Sequence, residues 1–475
     1  MLFNSFEFLL YFPIVTILYF LLPFKFRWLL LLLASCFFYM FFIPKYILIL
    51  FFTIIIDYFA GIMLEKIKDK RQKKGFLILS LIANIGILVF FKYYNFLNES
   101  ITYVLNAFHA GNPIPVLNII LPIGLSFHTF QAMSYTIEVY RGNQKAEKHF
   151  GIYALYVMYF PQLVAGPIER PQNVLWQFHK KHNLDYERIR TGLMQMLWGL
   201  FKKVVIADRL ALFVNAVYAD PTSYQGFPLI WATIFFGFQI YCDFSGYSDI
   251  ALGASKVLGI ELMQNFRMPF LAKSIKGFWS RWHISLSSWF RDYLYIPLGG
   301  NRVSKLRWYF NVFFVFLISG LWHGANWTFI IWGALHGVYL IFGLLLEPAE
   351  KKYFNSQNLL VTFIKRLVVF LLVTIGWTFF RANNLNDSFY ILSNFYKLDM
   401  KYLFGVASSS TFNNMLSIGL IGILILSDFY FEYAEKNNTI ILKSNFLRYL
   451  VAFILLILIY TLGVFENASF IYFQF

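Results

Sequence analysis

The chain has 475 residues, of which 59% are hydrophobic and 13% are charged, and its formal net charge is +16. Soluble globular proteins are roughly half apolar and a quarter charged, so this composition excludes a soluble enzyme and indicates a polytopic membrane protein. The basic residues cluster in short loops between apolar runs, which indicates cytoplasmic loops and contact with anionic lipid headgroups rather than nucleic-acid binding.

Four apolar segments at the start of the chain predict membrane helices, near residues 6–24, 28–44, 46–64 and 75–91. The loop 65–74 contains six basic and two acidic residues, which places it in the cytoplasm under the positive-inside rule. Counting outward from this loop, the N-terminus and the loop 93–115, which has almost no Lys or Arg, are both expected on the extracytoplasmic side.

The middle of the chain begins with broken and interfacial segments. The apolar segment 151–168 is short and contains Pro161, Gly166 and Pro167, which predicts a re-entrant or interfacial piece. Basic residues alternate with apolar ones over 170–210, which predicts amphipathic helices on the cytoplasmic surface.

An acidic motif follows the apolar segment 226–242. Residues 243–249 read Asp-Phe-Ser-Gly-Tyr-Ser-Asp, and Gly246 permits a break in the helix at this point. Asp243 and Asp249 are interpreted either as caps and buried ion-pair partners or as the lining of a polar tunnel.

Two helices near 308–321 and 326–346 are joined by a turn that contains His323 and faces away from the cytoplasm. Three more helices, near 366–381, 415–432 and 447–465, complete the chain, and the long loop 383–413 is expected outside. The predicted fold class is an all-α polytopic membrane protein of about 11–12 hydrophobic helices, forming a single domain over residues 1–475.

Three histidines occur in segments rich in Trp, Gly and Arg, namely His283, His323 and His336. Ionisable groups inside a membrane are costly and are therefore functional candidates. A membrane histidine without a neighbouring nucleophile fits a general base that deprotonates an incoming hydroxyl, which then attacks an activated acyl group. The alternative is a histidine that only ties two helices together.

Other catalytic signatures are absent from the sequence. It contains no Gly-x-Ser-x-Gly elbow, no His-Glu-x-x-His pair and no glycine-rich phosphate loop, so we expect neither a metal site nor a tightly bound cofactor. Arg281 and Arg291, on either side of His283, are interpreted as phosphate-binding groups or as interfacial side chains whose charged ends reach water.

Six motifs, taken in chain order, resemble the membrane-bound O-acyltransferase family over nearly the whole length, and in particular its bacterial polysaccharide branch of the alginate O-acetyltransferase type. The motifs are Leu2-Phe-Asn-Ser-Phe-Glu-Phe-Leu-Leu-Tyr-Phe-Pro13, Pro122-Ile-Gly-Leu-Ser-Phe-His-Thr-Phe-Gln131, Phe160-Pro-Gln-Leu-Val-Ala-Gly-Pro-Ile-Glu-Arg170, Gln239-Ile-Tyr-Cys-Asp-Phe-Ser-Gly-Tyr-Ser-Asp249, Phe278-Trp-Ser-Arg-Trp-His-Ile-Ser-Leu-Ser-Ser-Trp-Phe-Arg-Asp292 and Gly320-Leu-Trp-His-Gly324.

The resemblance implies that His323 is the essential catalytic residue and that His283 is a second important position. It also implies helices enclosing a central tunnel, with re-entrant and interfacial helices around it. The residues expected to line or brace that tunnel are Asp243, Asp249, Arg281, Trp322, Asn326 and His336. The implied location is the bacterial cytoplasmic (inner) membrane.

The implied reaction takes acetyl groups from a cytoplasmic thioester, either acetyl-CoA or an acyl carrier protein, to O-acetylate an extracytoplasmic polysaccharide such as alginate, cellulose or peptidoglycan. The expected partner is an extracytoplasmic SGNH-like acetyltransferase or a glycan synthase complex. D-alanyl transfer to teichoic acid from a carrier protein is the alternative within the family. A secondary transporter and a non-catalytic export-complex subunit are the alternatives from other classes.

Overall fold

The computed structural model describes residues 1–164, 166–353, 358–398, 411–437, 444–465 and 470–471. The chain is 78% helical, and the described residues contain no strand. They form two compact units, the first comprising Met1–Met196 with Asp249–Met263 and the second comprising Leu197–Ser248 with Gln264–Phe475. The single domain over 1–475 stays a prediction.

Nine α-helices lie wholly within the first unit among the residues described. They are α1 (Phe6–Leu21), α2 (Phe24–Met40), α3 (Ile47–Lys66), α4 (Lys70–Leu88), α5 (Tyr94–Ala107), α6 (Leu125–Arg141), α7 (Phe150–Met158), α8 (Phe160–Leu163) and α9 (Pro171–Val174). Side-chain caps fix some of their starts: Asp69 accepts a hydrogen bond from the backbone N–H of Gln72 at 2.9 Å at the start of α4.

The α4 helix continues through a π-helical turn into α5, forming one helix over Lys70–Ala107. At 1.5 Å per residue its 38 residues span about 57 Å, more than the roughly 30 Å hydrocarbon core of a bilayer. The sequence predicted a loop over 93–115, and the first part of that stretch is instead helical as far as Ala107.

A buried polar cluster joins α3, α4 and α6 within the first unit. The carboxylate of Asp57 accepts hydrogen bonds from the hydroxyl of Ser80 at 2.6 Å and from the amide of Asn84 at 2.9 Å, and Ser80 also donates to Thr136 at 3.0 Å. These four residues are fully buried. The cluster therefore supplies the partners that a carboxylate needs on an apolar helix.

The remaining helices are α10 (Tyr186–Leu200), α11 (Asp208–Ala219), α12 (Phe227–Leu258), α13 (Ile275–Trp279), α14 (Ile284–Phe290), α15 (Lys305–His323), α16 (Trp327–Tyr353), α17 (Leu359–Arg381), α18 (Leu385–Ser393), α19 (Thr411–Lys436) and α20 (Asn445–Leu462). Helices α10 and α12 contribute residues to both units. The predicted external loop 383–413 contains α18, and residues 399–410 of that loop lie outside the described part of the chain.

Seven described helices are long and apolar enough to cross a membrane, and α1 is a shorter apolar helix. The all-α, polytopic class is thereby confirmed. The central tunnel remains a prediction. The broken segment over 151–168 is observed as two short helices, α7 and α8, the second of which ends at Leu163.

Helix α12 runs without interruption through Gly246, so the break that a glycine permits does not occur here. The glycine instead permits close packing, because a Cβ there would lie 2.7 Å from the carbonyl oxygen of Gly199 and 3.2 Å from the backbone nitrogen of Lys203. Because glycine has no side chain, it lets two helices approach closely as well as letting a backbone bend.

Glycines also bring α15 and α16 together. A Cβ on Gly320 would collide with the carbonyl oxygen of Phe329, and one on Gly333 would collide with the carbonyl oxygen of Phe316. Such contacts between small residues let two helix backbones approach closely in a membrane protein. The pair forms a tight hairpin whose turn begins immediately after His323.

Candidate active site

His323 is the last residue of α15, and its side chain is buried. Three aromatic rings surround the imidazole, those of Trp322 at 5.0 Å, Trp332 at 4.9 Å and Phe380 at 5.3 Å between centroids. All three rings meet it edge to face. The sequence predicted His323 inside the turn between the two helices, whereas in the structure it is the last residue of α15 and the turn begins at Gly324.

His283 lies at the start of α14 and is fully buried. Its backbone has φ 42° and ψ 55°, a left-handed conformation that costs a non-glycine residue about 1–3 kcal/mol. Strained residues of this kind cluster at active sites, where the surrounding structure holds them in place. The strain makes His283 a functional candidate independently of its sequence motif.

The side chain of Asn265 fixes the orientation of the His283 imidazole. Its Oδ1 lies 3.2 Å from His283 Nδ1 and also accepts hydrogen bonds from the backbone N–H of Ser285 at 3.2 Å and the Ser285 hydroxyl at 2.9 Å. Because a backbone N–H can only donate, this atom of Asn265 is the oxygen. His283 therefore donates through Nδ1, and the neutral ring carries its lone pair on Nε2.

Burial lowers the pKa of His283 to about 3, so the ring is neutral at physiological pH. Phe244 packs edge-on against it at 4.7 Å, and Trp322 lies at 6.3 Å between centroids. A neutral imidazole with a fixed tautomer can accept a hydrogen bond through Nε2 from a hydroxyl or an amide of a bound molecule.

His336 lies on α16 and is fully buried. Its ring is 5.0 Å from that of Trp279 and 5.0 Å from that of Trp332. Its Nε2 faces α17 at Gly376, where a Cβ would approach to 2.9 Å. The two histidines of this hairpin thus sit on different helices and share contact with Trp332.

Several buried polar atoms around His336 lack partners. Within the described part of the chain, neither ring nitrogen of His336 has a hydrogen-bond partner, and neither do the indole N–H groups of Trp279, Trp332 and Trp377. Buried polar groups are almost always hydrogen-bonded, because leaving one unpaired costs about 1–3 kcal/mol. These groups are therefore suited to contact polar atoms of water or of a bound molecule.

The three candidate histidines form one series of ring contacts in the second unit. His283 is next to Trp322, Trp322 is next to His323, and His323 is linked to His336 through Trp332. Residues that are far apart in the sequence thus meet in one aromatic cluster. This arrangement is the candidate active site.

Asp243 lies in the same unit and forms a buried ion pair. Its Oδ1 is 2.6 Å from Nζ of Lys203, which also contacts Asp208 at 2.7 Å. Its Oδ2 accepts a hydrogen bond from the backbone N–H of Ile471 at 2.7 Å. Of the two sequence interpretations, this geometry favours the buried ion-pair partner.

Asp249 belongs to the first unit, where it accepts a hydrogen bond from the side-chain amide of Gln195 at 3.1 Å. It is half-buried. The two carboxylates of the acidic motif therefore have different partners.

Arg281 donates to Glu432 at 3.1 Å and to the backbone oxygen of Met268 at 3.3 Å. Arg366 donates to the same carboxylate at 2.9 Å. The guanidinium group of Arg281 thus braces α19 against the segment before α14.

Asn326 caps α16. Its side-chain oxygen accepts from the backbone N–H of Thr328 at 3.0 Å, and its amide donates to the carbonyl oxygen of Asn383 at 3.2 Å. The cap ends the turn after His323 and fixes where α16 begins.

Sequence reasoning missed Asn265, Trp332, Trp377 and Gly376 as neighbours of the three histidines. Ser285 stands two residues after His283 in the same motif and offered a local signal. Asn265 and Gly376 offered none, because their closeness to the histidines arises only from the packing of separate helices.

The sequence similarity of this chain to known proteins extends over the whole candidate site. A sequence profile of the membrane-bound O-acyltransferase family matches residues 148–380, a range that contains every one of the eight predicted site residues.

Three relatives illustrate the similarity. The probable alginate O-acetylase of Pseudomonas aeruginosa is 38% identical over 431 residues, which cover 90% of this chain and 80% of that protein. The peptidoglycan O-acetyltransferase of Helicobacter pylori is 38% identical over 388 residues, which cover 76% and 72%. The teichoic acid D-alanyltransferase of Streptococcus thermophilus is 33% identical over 260 residues, which cover 50% and 60%.

Proposed function

The chain belongs to the membrane-bound O-acyltransferase family and is a multi-pass membrane acyltransferase, and on this premise we propose that it O-acetylates an extracytoplasmic polysaccharide. The names of the alginate and peptidoglycan relatives support acetyl as the transferred group, since these relatives are similar over more of the chain than the D-alanyl relative is. All three relatives are transferases, which favours an enzyme over a transporter or a non-catalytic subunit.

The observation that carries the proposal is the buried series of ring contacts joining His283, His323 and His336. A transfer between a thioester and a hydroxyl needs a base and hydrogen-bond donors and acceptors in a site that excludes water. The cluster offers these groups among aromatic rings.

In the proposed mechanism His323 acts as the general base. It takes the proton from the acceptor hydroxyl as the oxygen attacks the thioester carbonyl carbon, and a tetrahedral intermediate forms. The C–S bond then breaks, and the protonated imidazole returns the proton to the departing thiolate. This sequence needs no covalent intermediate on the protein.

The other residues have supporting roles in this proposal. His283 accepts a hydrogen bond through Nε2 and positions the acyl group or the acceptor. His336 and Trp322 line the path of the substrates, while Asp243, Arg281 and Asn326 brace the helices around it. Asp249 keeps its proposed place in the lining.

The proposed donor is acetyl-CoA or an acyl carrier thioester that enters from the cytoplasm. The proposed location is the bacterial cytoplasmic membrane, with the N-terminus on the extracytoplasmic side. The proposed partner is an extracytoplasmic SGNH-like acetyltransferase or a glycan synthase complex, which receives the acetyl groups.

The test is acetyl transfer from radiolabelled acetyl-CoA in proteoliposomes that contain the purified chain and the acceptor protein. Because the base is removed, His323→Ala is expected to lower the rate of transfer by at least about a hundredfold. His109→Asn, at an exposed histidine of the first unit, is the matched control and should transfer like wild type.

Equal rates for wild type and a folded His323→Ala protein would remove His323 from the chemistry. If wild type is inactive with acetyl-CoA but active with a carrier protein loaded with D-alanine, the D-alanyl alternative replaces the acetyl proposal.

A further inference from the structure

An open groove of about 510 Å³ runs between the start of α15 and the middle of α16. It is lined mainly by Leu306, Tyr309, Phe310, Phe313, Ile341 and Arg307. Its walls are apolar or aromatic except at the end where Arg307 lies. Its size falls in the range of pockets that hold small organic molecules.

Arg307 lines the groove, Arg302 and Lys305 lie within five residues of it in the chain, and all three side chains are exposed. Among the described residues, none of these three side chains forms an ion pair with a carboxylate. The sequence from Tyr293 to Leu346 contains no aspartate or glutamate. Because none of these three cations has an ion-pair partner among the described residues, an anion from outside would meet their positive charge directly.

Hydrogen bonds fix the turn at the basic end of the groove to helix α15. Asn311 on α15 donates to the carbonyl oxygens of Leu298 at 3.2 Å and Gly300 at 3.1 Å, and Trp308 donates to the hydroxyl of Tyr295 at 2.8 Å. These bonds hold the turn that precedes Arg302 against the first turns of α15. The backbone that carries the cations is therefore held in place before any ligand arrives.

The guanidinium of Arg307 lies 5.1 Å from the centre of the Phe310 ring, so the charge and the apolar wall are adjacent. A ligand that fits both must have an anionic end and an apolar chain. Free phosphate satisfies only the cations, and a neutral lipid satisfies only the wall.

We propose that this groove is a specific binding site for an anionic phospholipid, with a fatty chain along α15 and α16 and the phosphate at Arg307 and Lys305. Basic pockets between membrane helices are known to hold anionic headgroups. Phe313 in the groove packs against Gly337, the residue after His336, so a bound chain would buttress the hairpin of the active site. Binding does not require the protein to transfer acetyl groups.

The test is native mass spectrometry of the full chain in detergent, titrated with palmitoyl-oleoyl phosphatidylglycerol or with the matching phosphatidylcholine. Wild type is expected to bind the first phosphatidylglycerol more tightly than phosphatidylcholine. Arg307→Gln should weaken that binding roughly fivefold, as expected for one cation near a headgroup. Ile341→Trp, which fills the groove, should weaken the binding of both lipids.

A matched control removes three exposed cations elsewhere, Lys68→Gln before α4 together with Lys70→Gln and Arg71→Gln in its first turn. It should leave the first phosphatidylglycerol bound as in wild type, whereas Arg302→Gln with Lys305→Gln and Arg307→Gln should abolish the preference.

Four results would overturn the proposal: equal binding of the two lipids by wild type, equal losses in the two triple variants, displacement of the lipid by millimolar inorganic phosphate, or a dimer that Ile341→Trp dissociates. The third result would indicate a bare anion site, and the last would assign the groove to a second copy of the chain.

Discussion

At the scale of single residues, Asn265 has the widest influence on the candidate site. One oxygen atom accepts hydrogen bonds from the His283 ring and from the start of α14, so it holds both the tautomer and the strained backbone. The sequence alone identified His283 as a candidate but could not show which of its ring nitrogens carries the proton. That choice depends on a residue eighteen positions earlier in the chain.

Asn265→Ala is expected to lower kcat of acetyl transfer by about ten- to a hundredfold with a smaller change in KM, because a misplaced catalytic group costs rate more than affinity. Steady-state kinetics in proteoliposomes would measure both constants. Ser248→Ala is the control, since it removes only the long 3.4 Å contact with the Asn265 amide. An unchanged kcat in a folded Asn265→Ala protein would mean that the orientation of His283 is unimportant.

Glu169 makes the stability of the folded protein depend on pH. It is fully buried beside the backbone N–H of Met263, to which it is hydrogen-bonded, and burial raises its pKa from 4.5 to about 7. A raised pKa in the folded state favours the protonated carboxyl. The stability it contributes is complete below pH 4.5 and is lost as the pH rises to about 7.

Wild type is therefore expected to lose on the order of 3 kcal/mol between pH 5 and pH 8 from this group. Glu169→Gln, which cannot ionise, should show a smaller fall in Tm over that range. Thermal unfolding in detergent at both pH values would measure it, with Glu99→Gln at an exposed position as the control. If Tm falls equally for wild type and Glu169→Gln between the two pH values, Glu169 is already ionised in the folded protein at the lower pH.

At the scale of elements, the α15–α16 hairpin determines where two of the three histidines lie. Its helices touch through backbone at Gly320 and Gly333, and the turn between them is closed by the Asn326 cap. The sequence predicted both helices and the turn from hydrophobicity and from the Gly-Ala-Asn stretch. Trp332 and His336 are neighbours one turn apart on α16, whereas the contact of His323 with Trp332 requires the observed closeness of the two helices.

Gly320→Ala is expected to lower Tm and to reduce transfer, because the added methyl group would collide with the carbonyl oxygen of Phe329, and overpacking of this kind costs about 1–3 kcal/mol. Gly343→Ala on α16 is the matched control, since nothing lies within 4 Å of a Cβ there. It should be neutral or slightly stabilising. Equal Tm values for the two variants would contradict the close helix contact.

At the scale of the whole molecule, the distribution of charge along the sequence is the main indication of membrane topology. Loop 65–74 carries six basic residues, and the next predicted loop, 93–115, carries almost none. The structure places a continuous helix over Lys70–Ala107, long enough to cross the bilayer between them. The positive-inside rule then predicts opposite sides for its two ends.

Single cysteines would test this orientation in a Cys36→Ser, Cys242→Ser background. A membrane-impermeant maleimide should label Ala110→Cys on intact cells and should label Lys70→Cys only after permeabilisation. Labelling in the reverse order would invert the proposed topology, and labelling of both on intact cells would contradict a membrane-spanning helix over this range. Wild-type levels of transfer by both variants would verify that they fold.

The sequence by itself determined the class of the protein, most of its helices and the histidines worth testing, because hydrophobicity, charge and short motifs are local properties of the chain. It predicted residues 94–107 as part of a loop, whereas they form α5, which continues the apolar helix α4 through a π-helical turn. Only the tertiary structure decided that Asn265 orients His283, that Asp243 pairs with Lys203, and that Trp332 joins His323 to His336. Most of these contacts join distant segments of the chain, and tertiary packing that no local pattern in the sequence encodes sets their geometry.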